Sequence, residues 1–143
     1  MTNSLACAED AATKWLEIVG DRLGTESRNT AYMMLRAWLH VVRDRLPVVA
    51  AARFGAQLPE LLRGTYYDGW TLSHVPTRYD VAGFVARFAG SAYISRADVP
   101  VTARAVTAAM VSLCPPGELD RVLDLMPSGV RALLDGTREV HSG

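Results

Sequence analysis

Prolines at positions 47 and 59 recur 68 residues later, at 115 and 127, and the residues around them recur in kind. At that offset Arg36 meets Arg104, Val42 meets Met110, Leu46 meets Cys114 and Ala51 meets Leu119. Phe54 then meets Val122, Leu58 meets Met126, Leu62 meets Val130 and Arg63 meets Arg131. One further residue of slack pairs Trp15 with Phe84 and Val19 with Phe88. Proline lacks an amide proton and fixes φ, so it stops one helix or opens the next. The recurring pattern is helix, stop, helix, restart, short helix, read twice. A unit of about 65 residues makes only a marginal helical core by itself. Two facing units bury both apolar faces together. The expected fold is therefore all-α, two tandem helical repeats in one pseudo-symmetric bundle. Unit 1 takes residues 4–65, an aromatic linker 66–79, unit 2 residues 80–135, and a tail 136–143.

Apolar spacing places the helices. Ala8, Ala12, Trp15, Ile18 or Val19, and Leu23 form one stripe over Ser4 to Leu23, with Ser4 as cap and Gly24 as terminator. Thr25 can cap a second helix that reaches Leu46 and stops at Pro47. This is the most hydrophobic element. Leu35, Leu39, Val42 and Leu46 line one face, and Tyr32, Met34, Trp38 and Val41 widen it. Such a helix belongs at the centre. Its remaining face carries Arg36, His40, Arg43 and Asp44. Pro47 suits the first turn of a third helix, from Val48 to Leu58, and Pro59 opens a short fourth, Glu60 to Arg63, ended by Gly64. In the second half Asp80 caps a helix with Phe84, Val85 and Phe88 inward. Asp98 and Pro100 open another that runs to Leu113 or Cys114, burying Val101, Ala105, Val106, Ala109, Met110 and Leu113. Glu118 to Met126 follows with Leu119, Val122, Leu123 and Met126 inward, and Pro127 opens a last helix through Leu134.

Half of the residues are hydrophobic, enough for a real core. The 15 basic and 15 acidic residues balance, and they balance again within each half. No basic stripe stands out, so nucleic acid is not an evident partner. A net charge near zero gives little repulsion between copies and favours self-association. The apolar runs are too short and interrupted to span a bilayer, and the start has no basic segment followed by an apolar run. Cys7 and Cys114 sit in apolar surroundings and read as buried free thiols. The expected location is the cytoplasm, with no membrane partner.

Groups able to carry chemistry are sparse. His40, His74 and His141 have no second ligand at metal spacing, so neither a metal nor a cofactor is expected. His40 reads as a half-exposed helix histidine bonded to a neighbour. Neither cysteine has a histidine nearby, and Gly83 and Gly90 are too isolated for a phosphate loop. No catalytic residue is assigned. The arginine pairs Arg36/Arg104 and Arg63/Arg131 suit helix C-termini or ion pairs between units, or else a paired anion site. The strongest candidate surface is Tyr66-Tyr67-Asp68-Gly69-Trp70. Gly69 permits a tight turn, and two tyrosines, a carboxylate and an indole can line a pocket or partner surface. The same residues can instead lock the linker onto the helices, with Asp68 satisfying turn amides.

Leu35-Arg36-Ala37, Leu39-His40, Arg43-Asp44-Arg45-Leu46-Pro47, Gln57-Leu58-Pro59, Leu62-Arg63-Gly64 and Tyr66-Tyr67-Asp68-Gly69-Trp70 occur in that order. In these elements the chain resembles the bacterial family known as domain of unknown function 2267, over nearly its whole length. The resemblance is looser in the second half, where Gly117-Glu118 and Met126-Pro127 keep the skeleton. Trp38 stands where a smaller aliphatic residue is usual, and Arg53-Phe54-Gly55 interrupts an alanine-rich helix. The resemblance implies an all-helical repeat fold and no particular activity.

These features lead to the expectation of a non-enzymatic helical module for protein interaction or oligomerisation. The alternative is a small-molecule or anion-binding protein with a pocket between the repeats, lined by Arg63, Tyr66, Tyr67 and Trp70.

Overall fold

A computed structural model describes residues 4–72 and 78–136. Among them are eight α-helices: α1 (Ser4–Leu23), α2 (Arg28–Arg45), α3 (Val48–Gly55), α4 (Glu60–Tyr67), α5 (Val81–Ala92), α6 (Val99–Leu113), α7 (Glu118–Asp124) and α8 (Ser128–Asp135). A 3-10 turn, Arg96–Asp98, leads into α6. No strand occurs among the described residues. The all-α expectation holds.

The proline punctuation works through the proline's own carbonyl. Pro47, Pro59 and Pro127 are N-caps, at φ/ψ of −57/152, −57/148 and −56/148. Each carbonyl accepts the first helical bond, from Ala51, Arg63 and Arg131, at 2.9 Å in all three. Pro47 thus stands one place before the first turn, where its missing N–H costs nothing. Two caps differ from expectation. Ser27, not Thr25, caps α2 and accepts from Thr30 N at 3.1 Å, while Thr25 Oγ1 accepts from Ser27 N. Helix α4 runs through Gly64 to Tyr67, so Tyr66 and Tyr67 are helical. A lone glycine weakens a helix but does not end one when the next turn is packed.

Helix α2 is the central element. It buries Ala31, Met34, Leu35, Ala37, Trp38, Leu39, Val41 and Val42, and it touches α1, α4, α5 and α6. Helix α1 lies against α2 and α6, α5 against α2, and α6 against α8. One hydrophobic cluster joins all eight helices. The apolar positions equated by the 68-residue offset, from Val42/Met110 to Leu62/Val130, are all buried. Other inward faces shift. Leu16 and Val19 are buried on α1 and Trp15 only half so, while Val101 on α6 is 69% exposed and Ala105 and Leu113 are half-buried. On α6 the expected Val106, Ala109 and Met110 are buried, and Val99, Ala103 and Thr107 join them in place of the other three.

Deep in the core the Trp38 indole N–H donates to Thr107 Oγ1 at 2.9 Å, and the Thr107 hydroxyl donates to Ala103 O at 2.8 Å. This bond ties α2 to α6 where both are buried. A large-side-chain indole at position 38 is accommodated because its one polar atom has a partner. Thr107→Val keeps the shape but strands the buried N–H. It should lower the unfolding free energy by about 1–3 kcal/mol, read from urea denaturation. The double variant with Trp38→Phe should lose less than the two single losses combined; simple additivity would show that the bond is energetically idle.

Candidate functional site

The polar face of α2 is turned toward the end of α4. Tyr32 Oη lies 3.2 Å from Thr65 Oγ1. His40 Nε2 lies 2.7 Å from Thr65 O, and since a carbonyl only accepts, Nε2 carries the proton. Arg43 is 3% exposed, and its Nη1 donates to Tyr66 O at 2.8 Å and Asp68 O at 2.7 Å. Its Nε and Nη2 both reach Asp44 Oδ1 at 2.8 Å. A guanidinium thus satisfies carbonyls left unpaired at the end of α4, while the adjacent carboxylate balances its charge. The sequence placed Arg43 on the polar stripe left over by the apolar face of α2. It is buried because α4 folds back over that stripe.

The aromatic segment continues inward. Tyr66 is fully buried, donates its hydroxyl to Ala51 O at 2.8 Å, and meets Phe54 edge-on at 5.8 Å between ring centroids. Trp38, Phe54, Tyr66, Tyr67 and Trp70 form a continuous run of rings, each 5.0–6.1 Å from the next. Gly55 makes room for it, since a Cβ there would lie 2.9 Å from Tyr67 Cζ and 3.0 Å from Tyr66 Cε2. That is a packing reason for the glycine that interrupts the alanine-rich α3. Gly69, at φ 73°, makes the turn after α4, and Trp70 N donates to Tyr67 O at 3.1 Å. Asp68 takes part through its backbone, while its side chain is exposed and makes no hydrogen bond among the described residues. The Trp70 Nε1 atom is enclosed and has no partner among them.

The paired arginines end in local bonds. Arg63 donates to Gly55 O at 3.2 Å and Leu58 O at 2.9 Å, closing the end of α3. Arg131 pairs with Asp124 and, at 3.3 Å, with Asp135. Arg104 donates to Leu133 O at 3.2 Å, and Arg36 to Ser91 Oγ at 3.4 Å. Thus Arg63 and Arg104 serve helix C-termini, and Arg36 joins α2 to α5. His74 and His141 lie outside the described residues. Of the cysteines, Cys114 is buried but Cys7 is exposed on α1, beyond the part of that helix covered by others.

Sequence reasoning missed a surface at one end of the bundle. Two adjoining recesses, about 430 and 250 Å3, share Thr30, Met34 and Ile94. Met33, Ala92 and Tyr93 line one, and Leu23 and Val101 the other. Tyr93 is 83% exposed and sits in the left-handed region at φ 59°. The available signal was the glycine ending α1. Gly24, at φ 74°, closes α1 with a Thr25 N to Gly20 O bond of 2.9 Å, and Ile94 N to Ala89 O at 3.1 Å closes α5 in the same manner. Where α1 uses glycine, α5 uses tyrosine, at a cost of roughly 1 kcal/mol.

Two ionisations are measurable. Burial, with help from Arg43 and Arg36 and against the Thr65 bond and Asp44, holds His40 below its ordinary 6.5. The folded state therefore favours the neutral ring. That contribution is present above pH 6.5 and is lost as pH falls through the lowered value. His40→Gln retains a donor for Thr65 O and should lose less stability than the parent between pH 7.5 and 5.5, measured by urea midpoints; equal losses would remove His40 from the pH response. Burial, with Glu118, pushes the Cys114 thiol up to about 11. At pH 8 a disulfide reagent should react with Cys7 promptly and with Cys114 only after unfolding, and fast double labelling would contradict the buried thiol.

Among the described residues, no three His, Cys, Asp and Glu side chains gather as metal ligands, and no helix is long and apolar enough to cross a membrane. A comparison with curated proteins finds no match. The profile of a family described as an uncharacterized conserved protein, DUF2267, matches residues 12–133, from the middle of α1 to the last turn of α8. The match spans the α2–α4 face and both halves of the core, and the chain belongs to the DUF2267 family.

Proposed function

We propose that this chain is a non-enzymatic oligomerisation module, built from two related helical units, whose partner is a second copy of itself. The exposed Tyr93 carries the reading. An aromatic ring held in a left-handed backbone where glycine would be relaxed serves the fold poorly, and such strain persists where function requires it. Beside it lies the apolar recess of Leu23, Met34, Ile94 and Val101. A projecting ring next to a recess on the same patch is self-complementary, as a two-fold interface requires. Methionines adapt readily to an inserted ring. The zero net charge removes repulsion between copies. The YYDGW segment then acts as internal structure, its rings packed on α3 and its carbonyls held by Arg43.

Several features support the two-unit reading. Helices α4 and α8 have the same length and the same proline cap 68 residues apart. Helix α1 packs on α6 while α5 packs on α2, an exchange that a two-fold relation would produce. The units are residues 4–65 and 80–135, sharing one core. The place of action is the cytoplasm, where an exposed thiol such as Cys7 stays reduced.

Sedimentation equilibrium tests the interface. The parent chain should form dimers. Tyr93→Gly should shift it toward monomer while raising the melting temperature, because the backbone strain is relieved. Val101→Glu should also give monomer with an unchanged fold. A parent chain monomeric at 100-µM-scale loading (on the order of the weaker specific affinities), or a Tyr93→Gly dimer as tight as the parent, would sink the proposal.

A further inference from the structure

Guanidinium charge gathers where α2 ends and α5 begins, on the side of the molecule reached by the approach to α5. Arg45 lies in the last turn of α2, Arg78 just before the α5 cap, and Arg87 within α5. None of the three forms a salt bridge with a described residue. They surround Tyr79. Arg87 Cζ stands 5.0 Å from the Tyr79 ring centroid, and the Tyr79 hydroxyl is spent on Val41 O. Two carboxylates lie nearby, one of them, Asp80, in the lining of the recess itself, and neither pairs with these three arginines. Asp44 holds Arg43, and Asp80 Oδ1 accepts from Gly83 N at 2.8 Å as the α5 cap.

Arg45, Arg78, Tyr79 and Asp80 line an open recess of about 620 Å3. The Arg45 Nε atom is enclosed yet has no hydrogen-bond partner among the described residues. A buried N–H of a charged group left unpaired is costly, and in native proteins such a group commonly marks an ion or water partner. Arginine forks match the oxygens of a tetrahedral oxyanion and bind them in pairs. A dianion answers this excess charge better than a single carboxylate does. The Tyr79 ring below Arg87 keeps that guanidinium in place beside the recess.

We infer that this recess binds a phosphate group, with Arg45 and Arg78 as its direct ligands and Arg87 contributing charge. The site is separate from the Tyr93 patch and independent of self-association. It also differs from a pocket built on Arg63, whose guanidinium is engaged by the end of α3.

The test is titration of the full chain with inorganic phosphate and, separately, glycerol 3-phosphate, followed by nitrogen–proton NMR at constant ionic strength in chloride. Saturable shifts should appear at the Arg45 and Arg78 Nε–H groups. Stronger binding of inorganic phosphate identifies a free-phosphate site, and stronger binding of the ester identifies a site for phosphate carried on a small molecule. Arg45→Gln and Arg78→Gln should each weaken binding by about tenfold, and Arg45→Lys should also lose affinity because an ammonium cannot bind in the paired mode. Arg96→Gln, an exposed arginine outside the recess, should bind as the parent does. Arg78 is exposed and bonds to no described side chain, so its variant keeps the fold, checked by circular dichroism. The inference is overturned if chloride alone reproduces the shifts, or if Arg78→Gln binds phosphate as tightly as the parent.

Discussion

Helix α2 needs cover on nearly every side, and the rest of the bundle follows from that need. Its buried residues run from Ala31 to Arg43 and leave little of its circumference for water. A helix apolar over so wide an arc is stable only inside other helices. The cover comes from both halves of the chain, with α1 and α4 on one part and α5 and α6 on the other. Neither half provides it alone. A single core shared by the whole chain is the result.

Placing one helix so deep forces its polar groups, and those of the helices that cover it, to find partners. Trp38 uses Thr107, Tyr66 uses Ala51 O, and Arg43 uses the end of α4 together with Asp44. Apart from the Arg43–Asp44 pair, each bond joins two different helices, so the polar network also sets how the helices are placed. The aromatic run from Trp38 to Trp70 extends the same logic outward. It carries the core across α3 to the turn after α4. The conspicuous YYDGW sequence is in this sense a continuation of the core.

The features free of such duties lie elsewhere. Tyr93 is bonded to no described side chain and stands strained in solvent, while Arg45, Arg78 and Arg87 gather without a salt bridge to any described residue. Neither feature improves the packing. Both sit at the ends of the long helices, where residues from several elements converge on open surface. A self-association patch and an anion recess are the roles that their chemistry suits.

Local chemistry alone determined the helix content, the proline caps, the Asp80 cap and most inward positions of α2 and α7, because backbone geometry and apolar spacing act within a few residues of one another. The resemblance read from the LH, RDRLP and YY-x-GW elements likewise needed no coordinates, and the family match agrees with it. Tertiary structure decided the remainder. Gly64 stays helical because Tyr66 finds a buried place beyond it, which local propensity does not register. Val101 turns outward because its side of α6 has no helix over it, and Arg43 turns inward because α4 does. The arginines at 45, 78 and 87 are separated in sequence, and only the packing of α5 on α2 brings them together. Periodicity identifies an apolar face, but which polar residues are covered depends on neighbours that no short window contains.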